Sequence, residues 1–164
     1  LSFPRVTPLD TIIARFILQS LTVIVVLVIM ISAIAAVEGV AVTPNLGRVA
    51  LSIVLALSLG LAVGTLNCVV FAILPVWERL FGVINRPMFL ISGIFFEYNS
   101  LPGYVQDLIW YNPLMHIVAL MRSGLYKTYD AQFVSIPYVS FLILLLGFFG
   151  ALMLRAFRAR VVEP

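Results

Sequence analysis

Long apolar runs separated by brief polar clusters organise this chain. An uninterrupted bilayer crossing takes about 20 mostly apolar residues in a helix. Phe16 to Val37 supplies 22 positions, interrupted only by Gln19, Ser20, Thr22 and Ser32, and is closed by Glu38-Gly39 and Thr43-Pro44-Asn45. A second run of 26, Val49 to Leu74, is stopped by Pro75 and the polar group Trp77-Glu78-Arg79. The run of 18 from Pro137 to Leu154 is nearly pure Leu, Phe, Ile and Gly and ends before Arg155, Arg158 and Arg160. Between these, Leu80 to Phe96 is interrupted by Asn85-Arg86-Pro87. It reads as a crossing from near Phe81, or as a shorter helix with Pro87 in its first turn, where a missing N–H costs nothing. The pattern predicts an all-α integral membrane fold with four spans, at about 16–37, 49–74, 81–97 and 137–154.

The stretch between the third and fourth spans follows neither pattern. Asn99-Ser100-Leu101-Pro102-Gly103 and Asn112-Pro113 are turn signals, and Val105 to Tyr111 and Leu114 to Leu125 are apolar pieces too short to cross. Pieces of that length lie at the interface or re-enter the bilayer, so a re-entrant or interfacial segment is expected over about 99–130. Tyr98, Tyr104, Trp110 and Tyr111 suit the headgroup level, where aromatic rings meet both apolar and wet surroundings. No repeat or soluble module interrupts the chain, so residues 1–164 read as one membrane domain.

Composition excludes the alternatives. With 63% hydrophobic and 10% charged residues and a mean hydropathy of +1.16, a water-soluble fold of this length could not hide its apolar surface. The net charge of +3 is too small and scattered for nucleic acid. Its distribution is informative. Four crossings put Arg5, Arg15, Arg79, Arg86, Arg155, Arg158 and Arg160 on one side, against Arg48, Arg122 and Lys127 on the other. The positive-inside rule then places both ends in the cytoplasm. The single cysteine, Cys68, excludes an internal disulfide and any multi-cysteine metal site. Leu1 and a proline-containing polar stretch, with neither an initiator Met nor a basic leader, read as the continuation of a longer protein.

Positions 52, 56, 60, 64, 68 and 72 are Ser, Ala, Gly, Gly, Cys and Ala. Spacing by four keeps them on one helix face, where backbones can approach closely. Ser52, Ala56, Gly60 and Gly64 are therefore expected at a tight helix–helix contact, within one subunit or across a homodimer seam, with Cys68 a small packing residue. Charges at membrane depth are costly and usually functional, yet nearly all charges here sit at span ends, which argues against an ion-coupled pump. Glu97 is either a solvated helix-end carboxylate or a group facing a transport path. Arg122, within an apolar piece, either snorkels to headgroups or holds anionic sugar or phosphate. His116 stands without a second His or Cys and is expected to be a hydrogen-bonded structural group. There is no Ser-His-Asp arrangement and no GxxxxGK[ST] loop, so no catalytic or metal site is expected and ATP hydrolysis would have to come from elsewhere.

The order of features resembles a known family. Pro4-Arg5-Val6-Thr7-Pro8-Leu9-Asp10 leads through Ile13-Ala14-Arg15 into a span. Later come Arg86-Pro87, Phe89-Leu90-Ile91-Ser92-Gly93-Ile94-Phe95-Phe96, Leu101-Pro102, and Tyr111-Asn112-Pro113-Leu114 followed by His116 and Arg122. The chain is similar in this to the type 2 ABC exporter permeases, in the branch that exports capsular and related polysaccharides in Gram-negative bacteria, and looks like the last four of that family's six spans. The resemblance implies an inner-membrane, non-catalytic permease that works as a homodimer with a separate cytoplasmic ATPase. The chain would carry no cofactor, ATP being bound by the partner. Arg5, Asp10 and Arg15 would lie on the ATPase-coupling side. Tyr98 to Tyr126 would form an outer re-entrant segment near the exit, with Glu97, Tyr98, Tyr104, Trp110, Tyr111 and Arg122 as candidates for the substrate path. Two rival readings stand beside it: a type 2 permease exporting a drug, lipid or lipid-linked glycan, and a non-transport scaffold or membrane-embedded enzyme.

Overall fold

A computed structural model describes residues 8–38, 45–126 and 129–157. Arg5, Lys127, Arg158 and Arg160, which enter the charge count above, lie outside the described residues. The described chain is helical throughout: α1 Pro8–Glu38, α2 Leu46–Ile73, α3 Pro75–Leu90, a single 3-10 turn at Tyr98–Ser100, α4 Gly103–Trp110, α5 Pro113–Leu125 and α6 Ile136–Ala156. Among the described residues, three stretches are long and apolar enough to cross a membrane: Asp10–Ala33, Leu46–Ile73 and Ile136–Ala156.

Local chemistry sets the boundaries. The Asn45 side chain accepts from the Arg48 N–H at 3.3 Å and starts α2, Asn112 accepts from Leu114 N–H at 3.0 Å and starts α5, and Ser135 accepts from Tyr138 N–H at 3.4 Å and starts α6. Each satisfies one of the donors orphaned at a helix start. Proline occupies the opening turns of α3, α5 and α6, where its fixed φ fits and no N–H is missed.

The core is small and lies where α2, α5 and α6 meet. Leu55 and Leu59 of α2, Ile117 and Leu120 of α5 and Val139 of α6 form one buried cluster. Glycines permit two close approaches. A β-carbon on Gly150 would sit 2.8 Å from Thr65 Oγ1 and 3.0 Å from the Leu66 nitrogen, and one on Gly124 would sit 2.8 Å from Val49 Cγ2 and 3.0 Å from its nitrogen. The order of these contacts fixes direction. Val139 meets Leu55 and Leu59 while Gly150 meets Thr65 and Leu66, so α2 and α6 run the same way. Residues 74–135 therefore return the chain to the level at which α2 began. α1 is antiparallel to α2, with Val23 to Leu27 beside Ser52 and Ile53 and Ile12 and Arg15 at the Gly64–Cys68 end. None of its described side chains is buried.

The third expected span takes a different form. The polar group after α2 is not a loop: only Leu74 separates α2 from α3, and Trp77 Nε1 donates to Asn67 Oδ1 at 3.2 Å, holding the start of α3 on α2. α3 contains Pro87 in its last turns and stops at Leu90. Its 16 residues rise about 24 Å, short of a hydrocarbon core of about 30 Å. A non-helical turn carries the chain onward, with Gly93 at φ +79°, a left-handed conformation that glycine adopts freely. A span over 81–97 as one continuous helix is thus replaced by a helix that starts at Pro75 and a turn that follows Leu90. The physical reason is Pro75, which begins a new helix as readily as it ends the old one.

Of the two places expected for the small-residue face, a contact within the described chain holds only at Ser52. Ser52 is buried, and its hydroxyl donates to Val49 O at 2.8 Å and contacts Met121 Sδ at 3.0 Å. Ala56, Gly60 and Gly64 are exposed, and a β-carbon on either glycine would meet nothing within 4 Å. Between α1 and α2 at this level lies an open groove of about 470 Å³, with Cys68 at its lip. Within the described chain, the tight helix contacts are made at Gly124 and Gly150 instead.

Candidate functional site

The residues with chemistry to offer gather on the helical hairpin α4–α5 and the turn before it. Beyond α3 the chain at residues 91–97 has no helix to pair its carbonyls, and unpaired backbone carbonyls at membrane depth are costly. The N-cap and a side chain of α5 supply partners. Asn112 Nδ2 donates to Ile91 O at 3.1 Å, while Arg122 donates from Nη2 to Ile94 O at 2.8 Å and from Nη1 to Phe96 O at 3.1 Å. Between them on the same helix, Met115 lies against Gly93, filling the space a side chain would need. Asn112 thus serves two elements, its Oδ1 capping α5 and its amide holding α3.

A second centre is His116, only 1% exposed. Ser135 N–H donates to its Nδ1 at 3.3 Å, so Nε2 carries the proton and donates to Trp110 O at 2.8 Å. One imidazole thereby ties the end of α4 to the start of α6. Burial pushes its pKa below the ordinary 6.5, with the bond to Trp110 O acting the other way. Aromatic rings surround it. Trp110 lies edge-on at 5.3 Å and donates from Nε1 to Phe133 O at 3.3 Å, Tyr138 is 5.5 Å away and donates to Tyr111 O at 2.7 Å, and Phe133 stacks on Tyr98 at 3.9 Å.

This divides the expected path residues. Tyr98 is buried against Phe133, and Trp110 is half-buried as a strut between α4 and α6. Arg122 has both terminal nitrogens engaged by backbone carbonyls. Glu97 is exposed on the turn. Tyr104 and Tyr111 are 79% and 68% exposed, and with Asp107 and Leu108 they occupy one face of α4 at spacings of three and four. The opposite face, Val105 and Ile109, packs inward. The hairpin therefore presents an outward stripe of two phenol rings, one apolar side chain and one carboxylate, on a base locked by His116. Among the residues expected on the coupling side, Arg15 is exposed at the end of the α1–α2 groove and Asp10 lies one turn before it; Arg5 is outside the described residues.

Phe133 and Ser135 carry this arrangement without any mark in the sequence, while Asn112 and Gly93 stand out there only as parts of a turn signal and a family motif. Asn112-Pro113 does bear a signal beyond that of a turn, since an Asn followed by Pro is a helix N-cap followed by a favoured first residue.

Comparison with known proteins gives this geometry a context. Residues 1–126 match the family described as ABC-2 type transporter. The chain is 28% identical to the polysialic acid transport protein KpsM of Escherichia coli over 94% of its own length and 60% of the relative. It is 23% identical to the capsule polysaccharide export inner-membrane protein CtrC of Neisseria meningitidis serogroup B, over 98% of its length and again 60% of the relative. To the corresponding protein BexB of Haemophilus influenzae it is 26% identical over 63% of its length and 38% of the relative. The chain therefore spans about three-fifths of the first two relatives.

Proposed function

Because this chain belongs to the ABC-2 type transporter family of membrane proteins, we propose that it is membrane-spanning permease sequence of an ATP-driven exporter of capsular or another surface polysaccharide. The observation that carries the reading is the exposed Tyr104–Asp107–Leu108–Tyr111 face of α4, in a chain whose relatives are named for capsule and polysialic acid export. Sugar rings present C–H faces that stack on phenol rings, and a row of shallow stacking sites lets a polymer slide without a deep well. Polysaccharide is thus the substrate class, the bacterial inner membrane the location, and a second copy of the permease together with a cytoplasmic ATPase the partners. ATP is bound and hydrolysed by that ATPase, and this chain is non-catalytic.

Both termini lie on the cytoplasmic side. The antiparallel α1 and α2 and the parallel α2 and α6 support this, since they bring Arg15 and Arg155 toward one level, where the positive-inside rule wants them. The return crossing is made by α3 and the turn after it, with α4–α5 as the re-entrant hairpin on the outer side. Irregular backbone at that depth is tolerated only where protein satisfies it, as Asn112 and Arg122 do for the turn.

The test is deletion of the full-length gene followed by complementation, with staining of surface polymer. Loss of the polymer from the surface with accumulation inside the cell, both reversed by complementation, is expected; normal surface polymer would shift the reading to a drug or lipid exporter. Within the complemented strain, Tyr104→Ala and Tyr111→Ala should each lower surface polymer roughly threefold, the scale of an aromatic contact worth about 0.5–1.5 kcal/mol, with membrane abundance unchanged. Unaltered export in both would remove the α4 face from the path. Trp110→Ala is a poor probe, because it also cuts the strut to Phe133.

A further inference from the structure

We propose that Arg122 is a positioning residue whose forked guanidinium clasps the turn after α3 to α5, so that the turn keeps the shape that presents Phe95 and Glu97 outward. The export readout of this proposal rests on the function proposed above; its geometry does not.

Three observations converge on Arg122. First, its two terminal nitrogens reach two different carbonyls, Ile94 O at 2.8 Å and Phe96 O at 3.1 Å. A planar fork with rigidly spaced donors bridges such a pair, whereas the single point charge of lysine is not held in one geometry by two acceptors. Between those carbonyls Phe95 is 66% exposed, its ring edge-on to Phe89 of α3 at 5.7 Å. Second, the guanidinium lies over the Tyr129 ring at 6.0 Å, at the limit of a cation–π contact, which adds a further contact from outside α5. Third, the helix that carries Arg122 is itself fixed. Gly124 lies directly on Val49, its carbonyl accepts from Asn45 N–H at 2.8 Å, and Met121 meets the Ser52 hydroxyl. Arg122 thus links the N-terminal end of α2 to a turn that has no helix of its own.

The alternative role, holding an anionic polymer, needs the charge; the clasp needs the fork. Arg122→Lys separates them. In the full-length protein, with Cys68 and any cysteine outside these 164 residues replaced by Ser and export verified in that background, Ser92→Cys places a thiol where the native side chain is only 2% exposed. Right-side-out membrane vesicles are then treated with a membrane-impermeant maleimide, with and without Arg122→Lys, and export is scored separately with Ser92 intact. The expected result is wild-type membrane abundance, labelling of Ser92→Cys about tenfold faster in the lysine variant, as loss of a charge-assisted bond would give, and reduced surface polymer per permease. Arg122→Gln should behave as the lysine variant does. Wild-type labelling and export in Arg122→Lys would overturn the proposal. Export and labelling at wild-type levels in Arg122→Lys, with export lost and labelling unchanged in Arg122→Gln, would overturn it in favour of a charge that grips substrate, and failure of both variants to accumulate would overturn it by making Arg122 a requirement of folding. If complementation by the wild-type gene does not restore polymer, the polysaccharide reading fails while the labelling comparison still judges the clasp.

Discussion

Gly150→Val is expected to push α2 and α6 apart, while Gly60→Val leaves the stability of this chain nearly unchanged. A β-carbon at 150 would stand 2.8 Å from Thr65 Oγ1, 3.0 Å from Leu66 N and 3.4 Å from Leu66 Cα. Two of these are backbone atoms, which cannot rotate away, and the threonine hydroxyl is held by its own bond to Ala62 O at 2.9 Å. Relief therefore requires moving one helix relative to the other, and with it Val139 against Leu55 and Leu59. Overpacking of this kind costs about 1–3 kcal/mol, and here it falls on the main interface of a small core. At Gly60 the added methyls enter an open groove. Thermal unfolding in detergent, followed by tryptophan fluorescence, should show a lowered midpoint for Gly150→Val only. Equal midpoints for the two variants would refute the assignment of the α2–α6 contact.

That contrast also marks where reading the sequence stops. Gly60 and Gly64 share a face with Ala56 and Cys68 and carry the spacing of a packing motif, but spacing says only that backbones can approach, not which helix approaches. Gly124 is the one glycine of α5, and Gly150 follows Gly147 in α6 by three residues rather than four; Gly124 and Gly150 are the glycines on which the fold closes. The long helices were legible because hydrophobic length is a cumulative signal: 22 or 26 apolar residues admit few other structures. The end of α2 was legible as a stop at Pro75. That the stop is also a start was not, since proline suits the first turn of a helix as well as the residue after one.

For the site, composition marks a segment but not which of its atoms face outward. Aromatic residues cluster between Tyr98 and Tyr138, yet a ring in a sequence carries no mark of the face it will occupy. Burial makes Tyr98 and Trp110 supports and leaves Tyr104 and Tyr111 outward. In the sequence Arg122 offers itself to headgroups or to anionic sugar or phosphate and not to this clasp, because its acceptors, 26 and 28 residues earlier, are backbone carbonyls, and every residue has one. Such partners become visible only once the turn at Gly93 has brought them to α5.

His116→Ala should be among the most damaging single changes outside the glycines, and wild-type stability should fall with acid through this same residue. Truncation leaves Ser135 N–H and Trp110 O without partners and opens a void among Trp110, Phe133 and Tyr138. At about 1–3 kcal/mol for each of the two orphaned groups, the loss before any cavity cost is roughly 2–6 kcal/mol, enough to deplete the folded protein. The pH dependence follows from burial, which disfavours the charged ring and lowers its pKa against the raising effect of the Trp110 O bond. Protonation at Nδ1 would in addition remove the lone pair that receives the Ser135 N–H. The unfolded chain takes up the proton near 6.5, and the stabilisation is fully present above that pH and is lost as pH falls through the depressed value in the fold. Glutamine offers a donor and an acceptor in one side chain without titrating. His116→Gln should therefore recover part of the stability lost in His116→Ala and show a flatter unfolding midpoint between pH 7.5 and about 5 than wild type. A wild-type midpoint that does not drop over that range, or one that drops as steeply in His116→Gln, would show that the buried imidazole is not the group whose protonation weakens the fold.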